Sequence, residues 1–69
     1  MWISARDQLP GIGRSCIVWT GIGSPWVAAL QIKMEVAGAW VTCWCGEGGI
    51  RCNLNEGHFW IRLPELPQL

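Results

Sequence analysis

Over residues 26–36 the apolar and polar positions separate cleanly. Trp26, Ala28, Leu30, Ile32, Met34 and Val36 alternate with Val27, Ala29, Gln31, Lys33 and Glu35, and all three polar residues fall in the second set. A period of two is that of a half-buried strand, whose successive side chains point to opposite faces. Ser24, Pro25 and Gly38 would suit the ends of a helix, but the alternation outweighs them and predicts a strand. Residues 15–20 (SCIVWT) are rich in β-branched and aromatic side chains and are bounded by glycines, which predicts a short buried strand. Residues 2–9 stop at Pro10, which removes a backbone donor and holds Leu9 extended, so they predict an edge strand or arm.

Residues 39–45 (AWVTCWC) and 50–54 flank Gly46-Glu47-Gly48-Gly49. Taken as a four-residue hairpin loop, this places Cys45 opposite Ile50 and Cys43 opposite Cys52. Val41, Cys43, Cys45, Ile50, Cys52 and Leu54 would then share one face, and Trp40, Thr42, Trp44, Arg51 and Asn53 the other. A turn at Asn55-Glu56-Gly57 leads into a last strand over residues 58–63, which stops at Pro64. The expected architecture is all-β: a small antiparallel sheet of about five short strands, curled or barrel-like, with little or no helix. Residues 1–69 form a single domain, with 64–69 as a Pro-containing C-terminal tail.

Composition adds the means of building a core. The chain has 69 residues, six of them Trp and none Tyr. Each large aromatic buries on the order of 150–250 Å², so a few indoles supply apolar area that so short a chain could not collect from smaller side chains. Trp2, Trp19 and Trp60 read as core and Trp26 lies on the apolar face of the long strand, which leaves Trp40 and Trp44 without an assigned role. Charge is balanced, five Lys and Arg against five Asp and Glu, so a phosphate-neutralising surface is missing and nucleic acid is an unfavoured partner. The opening Met-Trp-Ile-Ser-Ala-Arg-Asp lacks a basic region followed by an apolar run, and Gln31, Lys33 and Glu35 interrupt the longest apolar region. Together they predict no secretory signal, no membrane span and a cytoplasmic location. In a reducing compartment Cys16, Cys43, Cys45 and Cys52 are free thiols or metal ligands before they are disulfides.

The run WISARDQLPGIGRSCIVW resembles the opening of domain-of-unknown-function family 551, a group of short phage, prophage and bacterial proteins. Its pattern of Trp-Ile, an acid, Leu-Pro, a Gly and a short apolar strand is met by Trp2, Ile3, Asp7, Leu9, Pro10, Gly13, Ile17, Val18 and Trp19. The closing HFWIRLPELP supplies Trp60, Leu63, Pro64, Glu65 and Pro67 of the family's ending, and Gly38 to Trp40 has the family's look in the middle. Two departures stand out: Phe59 occupies the position of the family's His, with His58 one residue earlier, and Arg62 replaces a Pro. The resemblance implies a phage or prophage origin and supplies no activity. It also implies that the first and last strands pair side by side, closing the sheet and covering its edges.

Cys43, Cys45, Cys52 and His58 have the residue types of a zinc set. Their spacing is unlike a zinc knuckle, since Cys-x-Cys on a strand puts the two sulfurs about 7 Å apart by the strand rise. Buried apolar thiols are the favoured reading, ahead of zinc and of a Cys43–Cys52 disulfide. No catalytic set is recognisable: one His, no paired carboxylates, and lone Gly-x-Gly turns with no helix behind them. The face carrying Trp40, Thr42, Trp44, Arg51 and Asn53 is the expected protein-binding surface, because Trp and Arg combine apolar area with directed polar groups. The competing arrangement buries that face and covers the cysteine face instead. The functional expectation is a non-enzymatic phage-type protein without cofactor that binds a host protein or complex, for example as an inhibitor of a host factor or defence complex. A small zinc-binding structural module and a single-stranded nucleic-acid-binding β-domain are the alternatives. A homodimer would also suit a core this small.

Overall fold

The structure, a computed structural model, describes residues 1–35 and 37–64. Val36, the expected end of the long strand, and tail residues 65–69 lie outside the described residues. Six strands form one antiparallel sheet: β1 (Ile3–Ser4), β2 (Ser15–Trp19), β3 (Trp26–Met34), β4 (Trp40–Gly46), β5 (Arg51–Asn53) and β6 (Phe59–Arg62). Their order is β1-β6-β2-β3-β4-β5. The only helical element among the described residues is a single 3₁₀ turn at Glu47–Gly49, and no helix is long and apolar enough to cross a membrane.

The alternating segment is a strand from Trp26 to Met34, as its period demands. The opening segment is strand only at Ile3 and Ser4; turns follow, with the amides of Asp7 and Gln8 both donating to the Ser4 carbonyl. First and last strands do pair, Ile3 with Trp60 and Ser4 with Phe59. This pairing does not close the sheet, because β5 has no partner beyond β4 and β1 none beyond β6.

One face of the sheet carries the core. Cys16, Val18, Ala28, Leu30, Trp44 and Trp60 are buried together, with Ile3, Trp26 and Leu54 packed against them. The register explains the set: Cys16 stands opposite Ala28, Leu30 opposite Trp44 and Val18 opposite Trp60, all on the same side. Trp44 also donates from Nε1 to His58 Nδ1 at 3.1 Å. β4 and the start of β6 are three strand spacings apart, about 14 Å in a flat sheet. An indole and an imidazole do not span that distance, so the sheet curls around this face in the direction of its natural twist.

The other face is lined differently from expectation. Trp2 and Trp19 are not core: Trp19 lies 6.3 Å from Trp2 and 6.1 Å from Phe59, ring centre to ring centre, in a half-exposed aromatic row on the opposite side of the sheet from Trp60. The odd-numbered positions of β2 and β6 cause this, since Trp19 pairs with Phe59 while Val18 pairs with Trp60.

Candidate functional site

The hairpin of β4 and β5 closes one residue later than its glycine run suggests. Gly46 belongs to β4 and its amide donates to the Ile50 carbonyl at 2.8 Å, which leaves a three-residue loop, Glu47-Gly48-Gly49. Gly48 and Gly49 sit at φ 71° and 80°, where a side chain would be strained. Cys43 therefore stands opposite Asn53, Trp44 opposite Cys52 and Cys45 opposite Arg51.

A one-residue slip exchanges faces, and it divides the expected binding surface. Trp40, Thr42 and Trp44 stay on the core side, whereas Arg51 and Asn53 lie on the other side with Cys43 and Cys45. Trp44 is fully buried and belongs to the core. Trp40 is 65% exposed. It pairs with Met34 at the end of β3, and Ile32 on the same face is also exposed. This apolar row lies on the part of β3 beyond Ala29, where pairing with β2 has ended. The exposed indoles Trp2 and Trp40 lie on opposite faces and form no common stacking row for bases.

The four residues of the zinc-type set separate in the same way. Cys52 and His58 belong to the core side, Cys43 and Cys45 to the other, and no cluster of three or more metal-ligating side chains exists among the described residues. All four cysteines are free thiols. Cys43 and Cys52 are not register partners and lie on opposite faces, so the Cys43–Cys52 disulfide, the least favoured of the three alternatives, has no geometry here. The Cys43 and Cys45 sulfurs are 3.5 Å apart, half the distance expected from the strand rise, because the two side chains lean toward each other along the strand.

Where Leu9-Pro10 meets the end of β6, the chain forms a cleft of about 640 Å³ lined by Leu9, Pro10, Arg14, Trp60, Arg62 and Leu63 among others. The N-terminal segment makes one wall. It is held there by Trp60 Nε1, which donates to the Gln8 carbonyl at 2.9 Å, and by the Gly13 amide, which donates to the Leu30 carbonyl. β2 and β6 make the floor, with Cys16 paired to Arg62. Leu9, Leu63 and both arginines are exposed. The ion pair between Arg6 and Glu56, at 3.7 Å, is the one salt bridge among the described residues, so neither Arg14 nor Arg62 has a carboxylate partner there. The hairpin reading missed this cleft. Its sequence signal is two arginines in core-side register, Arg14 two residues before Cys16 and Arg62 two residues after Trp60.

No protein-family model matches this chain, and neither a curated protein nor a solved structure matches it at a significant level.

Proposed function

We propose that this chain is a non-enzymatic, phage-type protein that works by holding another protein, such as a host factor or defence complex whose action it blocks. The cleft is its grip. The observation that carries this reading is the placing of two guanidinium groups, neither with a carboxylate partner among the described residues, beside exposed Leu9 and Leu63 around one concavity. Its volume falls within the range of about 300–1,000 Å³ usual for ligand clefts. Arginine forks bind carboxylates by two parallel hydrogen bonds, and leucines beside them favour an apolar neighbour. The matching occupant is a segment of a partner protein with Glu or Asp next to large aliphatic side chains. The chemistry of the thiols and the imidazole also favours binding over catalysis, since His58 is buried with Nδ1 already accepting from Trp44 and does not serve a cysteine as base.

Short synthetic peptides test the cleft directly, with binding read by titration calorimetry. A peptide containing Leu-Glu-Leu is expected to bind, and its Gln counterpart to bind about tenfold or more weakly, as is the acidic peptide to an Arg14→Ala, Arg62→Ala double variant. Equal binding of the acidic and amide peptides, or binding unchanged in the double variant, would remove the cleft from this function.

The exposed row of Ile32, Met34 and Trp40 favours a second contact with the same partner, since contiguous exposed apolar residues rimmed by polar ones mark protein-binding surfaces.

A further inference from the structure

The described chain runs out at the rim of the cleft. Leu63 lines it beside Arg62, although consecutive residues of a strand face opposite ways, so the chain turns toward the cleft once β6 ends at Arg62. Pro64 then offers no amide to extend the ladder with β2. The register that pairs Cys16 with Arg62 runs out toward Arg14 on one strand and Pro64 on the other. The sequence that follows, Glu65-Leu66-Pro67-Gln68-Leu69, lies outside the described residues. It sets an acid beside a leucine, the chemistry favoured by two arginines and two exposed leucines around one concavity.

The other four acids are placed elsewhere. Glu56 pairs with Arg6, Glu35 lies between β3 and β4, and Glu47 lies in the loop between β4 and β5. Asp7 sits in the turns after β1, with its amide donating to the Ser4 carbonyl, and makes no ion pair with Arg14 or Arg62 among the described residues. Glu65 follows directly on a segment that lines the cleft, three residues after Arg62.

We propose that residues 65–69 dock in the cleft of their own chain, with the Glu65 carboxylate between Arg14 and Arg62 and Leu66 against Leu9, and that a partner's acidic segment binds by displacing them. This rests on the reading of the cleft as an acceptor for acidic, aliphatic segments. Reach is no obstacle, since Glu65 is two residues beyond Leu63, at most about 7 Å of extended chain. So short a tether holds the carboxylate at an effective concentration on the order of millimolar, and even a weak contact then fills the cleft. Pro64 and Pro67 restrict the segment before it docks, which lowers the entropy lost on docking. A competing ligand binds only the fraction of molecules whose cleft is open, and its affinity falls by that fraction.

Titration calorimetry on the full chain, with the Leu-Glu-Leu peptide as ligand, reads the displacement. Glu65→Gln keeps the size of the side chain and removes its charge, and should bind the peptide about five- to tenfold more tightly than wild type. Glu56→Gln makes the same change in net charge away from the cleft and should bind as wild type does. Equal affinities of wild type and Glu65→Gln, or an equal gain in both variants, would overturn the docking. Magnetic resonance supplies a readout without the peptide. The Nε–H signals of Arg14 and Arg62 should shift in Glu65→Gln while that of Arg51 stays in place; unmoved Arg14 and Arg62 signals would likewise overturn the docking. Shifted signals with no peptide binding to any form would support the docked segment and remove the acidic-partner reading, so the two failures are told apart.

Discussion

Trp44 is the most fully enclosed indole in the molecule, and its burial is affordable only because its N–H has an acceptor. His58 provides it through Nδ1, at 3.1 Å, which fixes the imidazole as neutral with its proton on Nε2. Protonating Nδ1 would set two donors against each other inside the core. Burial lowers the His58 pKa below its ordinary 6.5. The linkage sign follows from this direction: below about pH 6.5 the unfolded chain binds a proton at this residue while the folded chain does not, so unfolding takes up protons. Stability is therefore complete above the unfolded value and declines as the pH falls through 6.5 towards the lowered folded value. The urea midpoint of the wild type should fall between about pH 7 and pH 5. His58→Gln retains an acceptor without titrating and should flatten that part of the curve. If both proteins show the same pH dependence, the imidazole is not its source.

At the scale of elements, the hairpin of β4 and β5 decides which side chains meet solvent. Gly46 is the residue that fixes it. A Cβ there would lie 2.9 Å from the Trp26 ring and 3.1 Å from the Val27 carbonyl oxygen, so the strand admits no side chain at this point. Gly46→Ala is expected to cost about 1–3 kcal/mol, the usual range for overpacking, as read from urea unfolding. The cost should shrink in a Trp26→Leu background, because the ring is the nearest obstacle. This crowding also explains what could and could not be read from the sequence. Alternation over residues 26–34 and the glycine and proline stops located β2, β3, β4 and β6, because period and turn chemistry are local; the stop at Pro10 did not locate β1, which ends at Ser4 where a turn begins. The run Gly46-Glu47-Gly48-Gly49 does not say which of its glycines remains in the strand; that depends on Trp26 crossing over from β3. The hairpin is consequently displaced by one residue from its expected register. Arg51 and Asn53 move to the far side and Cys52 leaves the other cysteines, whereas Trp44 faces inward because β3 pairs it with Leu30. Of the expected surface, Trp40 is exposed on the core side and Arg51 and Asn53 on the other. The cleft was hidden for a different reason, since Arg14 and Arg62 come together only through the pairing of β2 with β6.

Across the whole molecule, the sheet is open and its two edge strands are short, with two residues in β1 and three in β5. Short edges offer little template for unwanted pairing. The chain ends are joined by more than their ladder: Ile3 sits opposite Trp60 and packs on the core, and the Trp60 indole donates to the Gln8 carbonyl. Trp60 thus links the strand pairing to the wall of the cleft. Trp60→Phe removes the donor and leaves the Gln8 carbonyl to find another partner, at a cost of about 1 kcal/mol for the bond plus the lost ring area. Ile3→Ala removes half-buried area from the same contact. Because the two side chains share one interface, their effects should not add, and a double-mutant cycle should return a coupling of at least about 0.5 kcal/mol. Additive effects would mean that β1 and the Trp60 contact stabilise the fold independently. In the coupled case, loosening β1 also loosens the segment that carries Leu9 and Pro10 over the cleft, so Ile3→Ala should weaken acidic-peptide binding although Ile3 is not a lining residue. The framework that pairs β1 with β6 is then also what shapes the cleft.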